Sequence, residues 1–425
     1  SGGVDFDRIL ELIEAGLVRA PRFRQKLATA PVSNHPIWVD DDHFNLLYHL
    51  RHTALPLPGD ERQLKRLFGR IMSEKLDRSK PMWELWVVEG LEGGRMGLIS
   101  KVHHCLIDGI SGVDLLSAFM GPDPDYRFER SDHRWIPRPS PSRGALAFDE
   151  VKRRMELPGK LWSTARRGLT RPEESLRDAS HTASGFVEGI SKAFSPASDT
   201  PFNEPIGPHR RFDWARFDLR IVREIKTKLG GTVNDVVLAC VAGAVRDYLL
   251  GHQCDVNDLD FRVFIPVSTR KESERGKLGN RVSMVVAGLP IGEPDPRKRF
   301  EQIVGETRHV KQSGQADGTE AFEEVSEWTS DRLITSLARM AASRRSFNLV
   351  VTNVPGPPQA VYLDGARMLE SYPLVPLYEN QALGIAIFSY NGGLYWGFNA
   401  CWDRMPDLHD FVLAIEREFE KLQKL

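Results

Sequence analysis

A chain of 425 residues with 41% hydrophobic and 27% charged residues has the make-up of a globular protein, and its length exceeds what one ordinary core organises, so two domains are expected. A formal net charge of −1 offers no basic footprint for nucleic acid. The four cysteines, Cys105, Cys240, Cys254 and Cys401, form no CxxC pair and no disulfide framework, which points to a reducing, cytoplasmic setting.

The start reads as an amphipathic helix over residues 5–20, with Ile9, Leu10, Ile13 and Leu17 on one face, and not as a signal peptide. A second helix is predicted over 61–74, with Leu64, Leu67, Phe68 and Ile71 inward. Strands are predicted over 83–89 and 96–103 around a glycine-rich turn, followed by a short helix over 109–120. From Gly121 the chain turns rich in Pro, Asp, Arg and Ser, and a linker of about 121–200 is expected, dividing an N-terminal domain (1–200) from a C-terminal one (201–425).

The second half begins with a strand over 211–218 and a helix over 219–229 ended by Gly230-Gly231. A longer helix follows over 232–250 with Thr232 as N-cap. It is the most apolar long stretch, but Asp235, Arg246 and Asp247 leave it short of the roughly 18 clean apolar residues of a membrane span. Strands are predicted over 261–267, 281–289, 346–352, 382–390 and 393–402, and helices over 295–314, 319–342 and 407–425. Asp295 with Pro296 marks one helix start. The fold class is α/β (α+β), with mixed sheets and many antiparallel hairpins.

The run Lys101-Val-His103-His104-Cys-Leu-Ile-Asp108-Gly109 carries the chemistry. It lies where a strand gives way to a helix, a junction that exposes side chains at a sheet edge. If the strand still runs at the two histidines, they face opposite ways and are not an equivalent pair. Imidazole near neutral pH accepts a proton, as deprotonating an alcohol that attacks an acyl group requires. The plain alternatives are a satisfied structural histidine and, for Asp108, a helix N-cap. No HExxH or Cys/His cluster supports a metal, and no GxSxG, Walker A or GxGxxG sequence occurs.

His103-His104-x-x-x-Asp108-Gly109 resembles the HHxxxDG signature of the CoA-dependent acyltransferase superfamily. Further segments are similar, in order, to the bacterial wax ester synthase/diacylglycerol acyltransferase family within it. Pro81-Met-Trp83 resembles its PLW element and Asn234-Asp235 its ND motif. Pro266–Arg270, Gly279–Ser283 and Thr352-Asn353-Val-Pro-Gly-Pro357 also match. The DFGWG loop of plant and chloramphenicol-type relatives is not found in the sequence. The resemblance covers nearly the whole chain, except that a further upstream segment is expected, since this chain starts Ser-Gly-Gly without Met.

The resemblance implies two chloramphenicol-acetyltransferase-like domains with a substrate tunnel at their interface. It implies transfer of a long-chain acyl group from acyl-CoA, a co-substrate, to diacylglycerol or a fatty alcohol, with no cofactor and no metal. His104 is then the general base, supported by His103, with Asp108 structural and Gly109 permitting the tight turn. Asn234 is the candidate oxyanion donor; Asn234 and Asp235 read equally as a helix start. Arg270 or Arg281 is expected to pair with Asp108 or, alternatively, to meet CoA phosphate. The basic stretch 152–171, with Leu161 and Trp162, suits either a peripheral membrane or lipid-droplet contact or a solvated linker. The alternatives to triacylglycerol or wax ester synthesis are a transferase for a polyketide-type alcohol and a non-catalytic lipid-binding protein.

Overall fold

The computed structural model describes residues 4–30, 36–107, 119–126, 135–142, 144–146, 148, 196–268, 282–312 and 346–425. The expected helices over 109–120 and 319–342 and the basic stretch 152–171 fall wholly or mainly outside these residues, as do Asp108, Gly109, Arg270 and Arg281.

The N-terminal part is built on a three-stranded sheet. Helix α1 (Phe6–Gly16) starts at Asp5, whose side chain accepts from the Arg8 N–H. It is shorter than the expected 5–20: the chain turns at Leu17, and Pro21, which has no N–H to donate, opens a 3₁₀ turn. An antiparallel hairpin of β1 (Gln25–Thr29) and β2 (Pro36–Asp40) follows, then the single turn α2 (Leu46–His49). Strands β3 (Leu50–Ala54), β4 (Trp83–Leu91) and β5 (Arg95–Val102) make the sheet, β3 parallel and β5 antiparallel to β4. Helix α3 (Glu61–Ser73), capped by a reciprocal Asp60–Gln63 box, lays Leu67 and Ile71 on Val88 and Ile99. The other face packs Val87 and Trp83 with Ile9 and Ile13 of α1 and with Leu17 just after it. A one-turn helix α4 (His104–Ile107) leaves the end of β5.

The C-terminal part holds a six-stranded mixed sheet in the order β6-β13-β12-β9-β7-β8. Its strands are β6 (Arg210–Asp218), β7 (Arg262–Ser268), β8 (Val282–Gly288), β9 (Leu349–Pro355), β12 (Leu383–Tyr390) and β13 (Gly393–Cys401). A small hairpin, β10 (Tyr362–Leu363) with β11 (Ala366–Arg367), stands apart. Helix α5 (Leu219–Leu229) ends on Gly230 in the left-handed conformation. Helix α6 (Val233–Gly251) is apolar around its circumference because it is the buried centre of the core. Helices α7 (Pro296–Gln312) and α8 (Leu408–Lys424) flank it. The opposite face of the sheet is covered by the segment after β11, and Gly397 permits the approach: a Cβ there would lie 1.8 Å from the Pro373 carbonyl oxygen.

Among the described residues the two parts meet at two places. Across α3 and β6, the Arg210 N–H donates to Ser73 Oγ (2.8 Å), Phe68 stacks on Phe212 (4.1 Å between centroids), and Lys65 pairs with Asp213 (2.6 Å). On another side, Gly121 and Tyr362 exchange backbone hydrogen bonds of 2.8 and 2.9 Å, and Arg8 pairs with Asp364 (3.2 Å). Among the described residues, no single helix is long and apolar enough to cross a membrane.

Candidate active site

Strand β5 ends at Val102, one residue before the predicted end, so the alternation of faces does not govern the two histidines. They separate by another route. The His103 N–H donates to the Met82 carbonyl (3.0 Å), its carbonyl accepts from the Leu106 N–H (2.9 Å), and its Nδ1 accepts from the Cys105 N–H (3.3 Å). His103 is therefore the cap of α4, half-buried and tied to the backbone on three counts. His104, the first residue of α4, is exposed. Leu106 anchors the turn from below, buried in the same cluster as Trp83 and Met82.

The Pro81-Met82-Trp83 element is what holds this turn. Met82 supplies the carbonyl under His103. Trp83 is in register with Val102 on β5 and donates its indole N–H to the Phe23 carbonyl (2.8 Å). Beneath Trp83 lies His49, 1% exposed, stacked between Trp83 (4.7 Å) and Phe44 (5.2 Å). Its Nδ1–H donates to the Trp83 carbonyl at 2.8 Å, and burial pushes its pKa below the usual histidine value. One residue before Val102, the buried Lys101 ammonium donates to the carbonyls of Ile71 (2.8 Å) and Glu74 (2.5 Å), tying the end of β5 to the C-terminus of α3. Burial lowers the Lys101 pKa. Sequence patterns did not single out His49 and gave Lys101 no role beyond opening the histidine run; both act through tertiary neighbours.

In the C-terminal part, Asp235 is the third residue of α6 and 2% exposed. Its Oδ2 accepts from the Thr232 N–H and hydroxyl (both 2.7 Å) and its Oδ1 from the Thr307 hydroxyl (2.7 Å). The Thr232 hydroxyl oxygen in turn accepts from the Asp235 N–H (3.2 Å), completing a capping box. The helix-start reading thus accounts for Oδ2 of Asp235, and a tertiary contact with Thr307 of α7 takes Oδ1. Its neighbour Asn234 is half-buried and makes a different contact: Asn353 Nδ2 donates to Asn234 Oδ1 at 2.7 Å. Asn353 belongs to the Thr352–Pro357 motif, so the fold joins two of the sequence motifs here. Strands β7 and β9 are paired only at Val263–Leu349 and Phe264–Val350, although both run on past that point. Asn353 therefore stands where two parallel neighbours have parted, the kind of crevice in which open α/β sheets bind ligands.

Among the described residues, no group of three or more His, Cys, Asp or Glu side chains could hold a metal ion. The family model of the wax ester synthase/diacylglycerol acyltransferase catalytic domain matches residues 1–237, and that of the WS/DGAT C-terminal domain matches residues 278–423. The chain belongs to the wax ester synthase/diacylglycerol acyltransferase family.

A putative diacylglycerol O-acyltransferase of Mycobacterium tuberculosis is 32% identical over 428 residues, covering 96% of this chain and 80% of that one. The O-acyltransferase WSD of Acinetobacter baylyi is 30% identical over 411 residues, covering 95% and 85%. Among solved structures, the wax ester synthase/diacylglycerol acyltransferase of Marinobacter aquaeolei VT8 matches with a TM-score of 0.66 at 24% identity, covering 100% of this chain and 91% of that one. The starter condensation domain of rhizomide synthetase matches with a TM-score of 0.54 at 10% identity, covering 100% and 86%. These two likenesses show the two-domain, mixed α/β fold; the family membership makes the chain an O-acyltransferase by class.

Proposed function

We propose that this chain transfers a long-chain acyl group from acyl-CoA to the hydroxyl of diacylglycerol or a fatty alcohol, with His104 as general base. The observation that carries this reading is the difference between the two histidines: His103 is half-buried and tied to the backbone at the start of α4, and His104 is exposed on a turn anchored by Met82 and Trp83. The acceptor O–H gives its proton to His104 as its oxygen bonds to the thioester carbonyl carbon. The C–S bond of the tetrahedral intermediate then breaks, and the imidazolium returns the proton to the departing CoA thiolate. The products are an ester and free CoA, and the balance needs no oxidant, metal or resident cofactor. Asn234 is the proposed donor to the oxyanion. Asp108, Gly109, Arg270 and Arg281 keep their expected roles in this proposal, as does the division of the chain near residue 200 with both substrates meeting between the domains. A peripheral lipid surface is the proposed setting, since the acceptor is itself a lipid.

The test is release of free CoA from palmitoyl-CoA with diacylglycerol or hexadecanol added. Acceptor-dependent release that falls about 10²- to 10⁴-fold in His104→Ala is expected. Undiminished release in His104→Ala overturns the base assignment, and acceptor-independent binding without release favours the lipid-binding alternative.

A further inference from the structure

We propose that Asn353 is a positioning residue that sets which end of the Asn234 amide faces the reacting thioester; this rests on the acyltransferase reading above. A primary amide carries an acceptor oxygen at one end and a two-proton donor at the other, and a half-turn about χ2 exchanges them. An oxyanion is stabilised by the donor end and opposed by the acceptor end, so the orientation of Asn234 decides the sign of its contribution.

The fold decides it through one contact. Asn353 Nδ2 donates to Asn234 Oδ1 at 2.7 Å, which engages the acceptor end. The Asn234 Nδ2 is then directed away from Asn353, and no acceptor for it is found among the described residues. Both partners stand on rigid supports. Asn234 is the second residue of α6, adjacent to the capping box that Thr232 forms with the buried Asp235. Asn353 lies on β9, paired with Ile387 of the central strand β12. The start of β9 is pinned by Asn348, which is 0% exposed and whose side chain donates to the Ser198 carbonyl (2.8 Å) and Asn203 Oδ1 (2.7 Å) while accepting from the Arg262 N–H (2.8 Å). The pair sits beyond the last rung between β7 and β9. Such preorganisation is what an oxyanion donor needs, because an amide free to turn would spend part of its time presenting oxygen to the developing charge.

The experiment is a double-mutant cycle in kcat, with KM for palmitoyl-CoA and the thermal midpoint measured for each protein. Asn234→Ala is expected to lower kcat about 10²- to 10³-fold, the loss typical of one oxyanion donor. Asn353→Asp, nearly isosteric, replaces the donor by an acceptor, draws Asn234 Nδ2 toward itself and turns Asn234 Oδ1 outward; it is expected to match the kcat loss of Asn234→Ala. Asn353→Ala, which merely frees the amide, is expected to lose less. In an Asn234→Ala background neither change at 353 should lower kcat further, and KM should hold throughout. Losses that multiply across the cycle, or an Asp variant no worse than the Ala variant, overturn the proposal. Should the Asp variant fold poorly, the Ala cycle alone decides by the same criterion. If His104→Ala retains full turnover in the same assay, the acyltransferase reading has failed; if His104→Ala is dead while Asn234→Ala is unimpaired, that reading stands and the role of Asn353 falls.

Discussion

Replacing Asp235 by Ala separates a structural carboxylate from one that binds substrate. The change removes three acceptor contacts of 2.7 Å, from the Thr232 N–H, the Thr232 hydroxyl and the Thr307 hydroxyl. Hydrogen bonds to a charged group contribute about 1.5–3 kcal/mol each, but contacts sharing one carboxylate are not additive. Two features soften the loss. The Thr232 hydroxyl still accepts from the backbone N–H of position 235, which the substitution leaves in place, and so still half-caps the helix; the Thr307 hydroxyl also reaches the Val304 carbonyl at 3.3 Å. The unmet Thr232 N–H and the emptied buried space remain as costs. The expected destabilisation is about 2–4 kcal/mol. Asp235→Asn, which keeps an acceptor oxygen, should cost less. The assay is urea unfolding followed by tryptophan fluorescence, where the midpoint of the C-terminal transition should fall while its slope is unchanged. Steady-state kinetics at low temperature, normalised to folded protein, should show KM for acyl-CoA unaltered. A tenfold rise in KM with stability intact would refute the reasoning and return Asp235 to the substrate.

Three further outcomes follow from the same geometry. His49 has a pKa lowered chiefly by burial, so the unfolded chain takes up its proton more readily than the folded one. Its contribution is complete above the unfolded value near 6.5 and is lost as pH falls below it, and His49→Gln should flatten that acid limb in pH-dependent melting curves. Gly243 lies where α6 meets α8, and a Cβ there would fall 2.0 Å from Glu418 Oε2, inside the buried Arg299–Glu418 pair. Gly243→Ala should destabilise by about 1–3 kcal/mol or more by overpacking, and a melt within experimental error of the parent would contradict the close approach. Lys101→Met keeps the side chain's bulk but withdraws the donor from the Ile71 and Glu74 carbonyls. It should lower stability by about 1–3 kcal/mol, with hydrogen exchange accelerated in the last turn of α3 and at the end of β5.

Much of this protein was legible one short window at a time. Capping signals are local chemistry: Thr232 and Asp295, the latter before Pro296, each act within three residues, and the structure places helix starts at both. Gly230 ends α5 because its left-handed backbone is one that other residues adopt at a cost. The long strands β4, β12 and β13 were readable because apolar runs bounded by turns carry their own signature. The histidine run, too, announced itself as a motif at a strand–helix junction. Tertiary structure decided the rest. The hairpin β1–β2 and strand β3 escaped notice because their faces are only partly buried, so no clean alternation marks them. That His103 caps α4, leaving His104 as the exposed imidazole, depends on where β5 stops against Met82. That Asn234 meets Asn353, 119 positions away, depends on the order of strands in a mixed sheet and on the parting of β7 from β9. Local sequence sets a residue's backbone preferences within a turn or two, whereas the partner of a side chain is chosen by packing between elements that only the closed core brings together.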